Sequence, residues 1–127
     1  MTISRPIETE YNDFFKGYVN GVPQDDLITA LRQTGEEVAR VFKSIPPEIE
    51  VFRYDTNKWS IKEVLMHLAD YERYFAFKAL VALRNDTDTV LYHPKREHYL
   101  FNAGCEKRHL ADLVPEFEIT RAATISL

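Results

Sequence analysis

Apolar positions along this chain recur at three- and four-residue intervals, with no alternating strand pattern, so the sequence predicts helices. Ile7, Tyr11, Phe14, Phe15 and Tyr18 fall at helical spacing. They predict a short helix within an arm over residues 1–23, docked by its apolar side on the body. Asn20-Gly21-Val22-Pro23 ends that arm, because Gly permits a turn and Pro removes an amide donor. The first long helix is predicted over residues 25–44. Asp25 or Asp26 can cap it, and Leu27, Leu31, Val38, Val41, Phe42 and Ile45 form its stripe;. Pro46-Pro47 stops it.

The second long helix carries the clearest start signal. Ser60-Ile61-Lys62-Glu63 is a capping box, in which the serine hydroxyl and the glutamate each satisfy a backbone amide of the other's residue;. Ile61, Leu65, Leu68, Phe75, Ala79 and Ala82 mark the apolar face, and the helix reaches about Arg84, a length of roughly 37 Å. Asn85-Asp86-Thr87-Asp88-Thr89 breaks it. Residues 90–107, with Pro94 and Gly104, carry no clear pattern and are predicted as a long loop;. A third long helix starts at His109 or Leu110, with Leu110, Leu113, Val114 and Phe117 on its apolar face. Pro115 fits it only in the first turn, where a missing N–H does no harm. The pattern continues to Leu127 without a stop signal;. The expected fold over residues 1–127 is therefore one all-α domain: an up-down bundle of three long helices, packed up-down-up, plus a short N-terminal helix.

Composition narrows the function classes. The chain is 45% hydrophobic and 28% charged, which describes a folded globular protein;. A net charge of -4 without clustered Lys or Arg argues against nucleic acid and anionic membranes as partners;. No apolar run approaches a membrane span and no signal-peptide core opens the chain, so a cytoplasmic location is expected. The single cysteine, Cys105, excludes an intrachain disulfide and reads as a small buried hydrophobe;.

Four histidines are the candidate chemistry. His67 lies inside the second helix beside Val64 and Tyr71, on the shoulder of the apolar stripe. It reads either as a metal ligand facing the bundle interior or as a half-buried histidine bonded to its neighbours. His93, His98 and His109 share no ligand spacing and read as solvent-exposed;. Asp70, Glu72 and Arg73 read as a solvated face. Trp59 reads as an apolar anchor at the start of the helix.

The segment Lys58-Trp59-Ser60-Ile61-Lys62-Glu63-Val64-Leu65-Met66-His67-Leu68 resembles the DinB/YfiT-like superfamily, whose second helix opens with Trp-Ser-x-x-Glu-x-x-x-His-Leu. The stretch Asp70 to Leu80 is similar to the same family, as is the N-terminal part from Glu10-Tyr11 through Phe14-Phe15 to Val22-Pro23. The resemblance runs over residues 5–86 and continues more faintly in Leu110-Ala111-Asp112-Leu113 and Phe117 to Thr124. It implies a four-helix bundle, often dimeric, with a divalent metal held by one histidine on the second helix and an H-x-x-x-H pair on the fourth. His67 matches the first ligand. The pair has no counterpart, so the resemblance implies a bundle in which the fourth helix is missing, with an open groove between the first and third helices lined by Leu31, Val38, Leu113 and Phe117 that a homodimer or a three-helix rearrangement would cover. Zinc or nickel is the implied cofactor, and hydrolysis or S-transfer with a small-molecule or thiol substrate the implied activity. Two functions follow as expectations. One is a metal-dependent hydrolase or thiol transferase, completed by a partner chain or by His93 and His98. The other is a non-catalytic helical module that dimerises.

Overall fold

The computed structural model describes residues 2–127, and among these every regular element is helical. The N-terminal arm forms 3-10 turns at Glu8–Glu10 and Asp13–Phe15, then the short helix α1, Lys16–Asn20. Its attachment differs from the expected apolar docking. The Arg5 guanidinium donates to the carbonyls of Val19 (2.9 Å), Gln24 (3.2 Å) and Val22, and Ser4 bridges to Asp26. Phe14 is 71% exposed and Tyr18 70%. These rings pack on one another, Phe14 edge-on to Phe15 at 5.1 Å. Polar bonds to the backbone hold the arm, and the aromatic stripe faces outward.

Helix α2, Leu27–Lys43, starts where Asp26 accepts from the Thr29 amide at 2.9 Å. Helix α3, Ile61–Leu83, opens on the expected box: Ser60 Oγ accepts from Glu63 N at 3.4 Å, and Glu63 Oε2 accepts from Ser60 N at 2.6 Å. After α3, Asn85 takes a left-handed conformation, and Asp86 Oδ1 accepts from the amides of Asp88 and Thr89, which turns the chain away. The next segment corrects the loop prediction. Arg96–Asn102 is a helix, α4, followed by a 3-10 turn at Cys105–Lys107. Leu100 and Ala103 of this segment pack on the core, and Tyr71 Oη donates to Pro94 O at 2.9 Å. Helix α5, Leu110–Ile125, contains Pro115 in its second turn rather than its first.

Helix α5 is the centre of the bundle and packs against both α2 and α3, which make few contacts with each other. Leu65, Leu113 and Phe117 are almost wholly buried, each worth about 1.5–3 kcal/mol in removed apolar surface. Ala39, Met66, Ala69, Cys105, Leu110 and Val114 complete the core. Leu113 and Phe117 are core residues, so the groove expected between the first and third long helices is not lined by them; a three-helix arrangement closes it there, and a cleft of about 400 Å³ remains where Arg32 and Gly35 of α2 face Glu118, Arg121 and Ile125 of α5. Helix direction also differs from up-down-up. Lys62 Nζ reaches Arg108 O at 3.0 Å, and further along Arg73 pairs with Glu116 at 2.6 Å and Glu72 with Arg121 at 2.8 Å. These contacts run α5 parallel to α3. The start of α2 meets the end of α5, where Arg121 Nη1 donates to Leu31 O at 2.8 Å, so those two are antiparallel. The connector carrying α4 is long enough to return the chain to the end where α3 began.

The apolar face of α3 also departs from expectation. Leu65 and Ala69 are buried, but Phe75 is 53% exposed and Ala79 and Ala82 are also exposed. The outer half of this helix has no partner for its apolar side among the described residues. No helix among them is long and apolar enough to cross a membrane.

Candidate functional site

His67 sits two turns into α3, half-buried. Its ring lies 4.8 Å from the Trp59 ring and 4.2 Å from Tyr71, both tilted about it. Trp59 is held just before the Ser60 cap, and Tyr71 is one helical turn beyond His67, so one element and its entering residue supply three sides of the site. The connector supplies the fourth. Pro94 O fixes Tyr71, and Arg96 at the start of α4 places its guanidinium 5.8 Å from the Trp59 ring. Trp59 thus anchors the histidine as well as the helix start.

Burial pushes the His67 imidazole below its ordinary value of 6.5, and the positive charge of Arg96 pushes the same way; Asp70 and Glu97 oppose both. The ring is therefore neutral near pH 7. Burial raises the Asp70 carboxyl, with Arg73 opposing, and burial raises the Tyr71 phenol. A neutral imidazole is what a metal ligand needs. The rest of the donor set is absent: among the described residues no three His, Cys, Asp or Glu side chains gather as a group able to hold a metal ion. The nearby charges are mixed: the Arg96 guanidinium opposes a cation at His67, while Asp70 and Glu97 favour one;.

The other histidines are dispersed. His93 is exposed and sits edge-on to Tyr71 and Tyr74, 5.8 and 5.5 Å away. His98 is exposed on α4. His109 has a structural role that its spacing did not reveal. Its Nδ1 lies 2.6 Å from Glu50 Oε1, while Glu50 Oε2 accepts from Leu110 N at 3.0 Å. Glu50 is buried and serves as a carboxylate cap on α5; the Leu110 amide is the main force holding its carboxyl below 4.5;. Cys105 is buried in the core, and burial pushes its thiol up, so it is not poised as a nucleophile;.

The charges after His67 depart from the solvated face. Glu72 and Arg121 form a two-pronged pair, Nε–Oε1 2.8 Å and Nη2–Oε2 2.9 Å, with both side chains mostly buried. Arg73 joins Asp70 and Glu116, and Arg108 also pairs with Glu116 at 2.5 Å. One signal for Glu72 was present: it lies three residues beyond Ala69 and seven beyond Leu65, on the buried stripe. Arg121 likewise follows Phe117 by four. Arg96 carried no such signal, because its role depends on where the connector lands.

Neither the curated proteins nor the solved structures compared with this chain include a match. A family model described as the DinB superfamily matches residues 30–127, which covers α3 with Trp59 and His67, the connector and α5, and the chain belongs to the DinB superfamily.

Proposed function

We propose that this chain is a DinB-type bundle protein derived from a metal-dependent hydrolase or a thiol S-transferase, in which His67 keeps the first ligand position and residues 1–127 alone do not complete a metal centre. The observation that carries this reading is the company His67 keeps: two aromatic rings and a guanidinium, with Asp70 and Glu97 near, and no group of three metal donors among the described residues. These residues fit a zinc or nickel ion poorly, since catalytic zinc usually takes three protein ligands. Any hydrolytic or transfer chemistry on a small molecule or thiol then depends on donors from elsewhere, in a cytoplasmic setting. Calorimetric titration of the protein with zinc and with nickel tests this. The expected result is weak binding that His67→Ala leaves unchanged. One tight equivalent lost in His67→Ala would overturn it.

The second reading is a non-catalytic helical module that forms a homodimer. The exposed Phe75, with the exposed Ala79 and Ala82 on the same face of α3, favours it, because exposed apolar faces tend to mark contact surfaces.

A further inference from the structure

Beside His67, the residues that precede α3 and the first turn of α4 border an open cleft of about 430 Å³. Tyr54, Asn57, Lys58, Trp59, Val64 and Arg96 line it, with Glu97 at its edge. That volume falls in the range of small-molecule sites, ~300–1,000 Å³. Two cations and one carboxylate contribute to its walls, so the cleft is positive. Arg96 spends its Nε on Glu97 Oε1 at 2.7 Å. Its two terminal amino groups have no hydrogen-bond partner among the described residues. The Lys58 ammonium likewise has no carboxylate partner there; it rests 5.7 Å from the Tyr54 ring centre.

We propose that this cleft binds a small organic anion, a carboxylate on an aromatic or alicyclic body, with Arg96 and Lys58 receiving the charge and Tyr54 and Val64 the apolar body. Three features support the assignment. The planar fork of a guanidinium matches a carboxylate through two parallel hydrogen bonds. Arg96 is drawn toward the cleft by Glu97 on one edge and by the Trp59 face 5.8 Å away, which leaves its two terminal amino groups for an incoming anion. The Asn57 amide, on the same wall, can donate to a second oxygen;. The site rests on the reading of His67 above only in needing no metal.

Trp59 is the only tryptophan in the chain, so its fluorescence reports this cleft directly. The titration uses the whole protein in EDTA at physiological salt, with benzoate as probe and benzamide as its uncharged counterpart. Saturable quenching by benzoate is expected, with benzamide at least tenfold weaker, a difference of about 1.4 kcal/mol. Arg96→Gln should weaken benzoate at least tenfold, Arg96→Lys should restore only part, and Lys58→Gln should weaken it several-fold. Lys58 is exposed, so its variant keeps the test valid even if the Arg96 variant folds poorly. No saturable response up to millimolar benzoate, equal binding of benzamide, or unchanged affinity in both charge-removal variants would overturn the proposal. A tight zinc site at His67 would overturn the functional reading without altering binding measured in EDTA, so the two failures are separable.

Discussion

Burial and Arg96 together lower the basicity of His67, and this fixes the sign of a pH effect. The folded chain binds the His67 proton less readily than the unfolded chain does, so the penalty appears as pH falls below 6.5 and is complete below the folded value;. Glu50, Glu63 and Glu116 act lower, because their folded values lie under 4.5 and their stabilisation is lost as pH falls through those values. His67→Phe should therefore flatten the stability profile just below pH 6.5 and leave the carboxylate limb in place; urea midpoints across that range check it. A profile identical to wild type would mean the ring is not desolvated. Ser60→Ala should cost about 1 kcal/mol through the lost cap, read as a lowered urea midpoint. At this scale the sequence announced the Ser60–Glu63 box because both partners are local. It could not announce Glu50 with Leu110 or Tyr71 with Pro94, whose partners are distant in sequence and brought close only by packing.

Helix α5 reaches both neighbours through one side chain. Arg121 binds Glu72 on α3 with two prongs and donates to Leu31 O and Thr34 Oγ1 on α2. Gly35 makes room for it: a Cβ there would stand 3.0 Å from Arg121 Cγ. Arg121→Ala would strand a largely buried carboxylate and a carbonyl, and should destabilise by about 3 kcal/mol. A double-mutant cycle with Glu72→Gln should return a coupling energy of about 0.5–3 kcal/mol; additive losses would show the pair to be independent. The long helices were readable because each buries a continuous stripe. α4 was not, since only Leu100 of its seven residues, with Ala103 just after it, packs on the core, too little repeat to stand out. Its existence matters for the site, because it carries Arg96.

For the molecule as a whole, the sequence located the apolar helices but not their directions. Parallel packing of α5 on α3 requires a long return, and residues 84–109 supply it through α4. The same arrangement buries Leu113 and Phe117 and leaves Phe75 exposed on the outer half of α3. Should the chain form a homodimer, Phe75→Asp is expected to dissociate it, while Phe117→Asp should unfold the monomer, since removing a buried Phe side chain alone costs about 3–5 kcal/mol. Sedimentation equilibrium distinguishes these, and a dimer that survives Phe75→Asp would place the interface elsewhere. The central claim concerns His67: a ligand position retained without the donors that complete a centre. Metal content of the protein after exhaustive dialysis against dilute zinc tests it most directly. The account predicts far less than one zinc per chain, with no difference between wild type and His67→Ala; one zinc per chain in wild type, absent from His67→Ala, would contradict it.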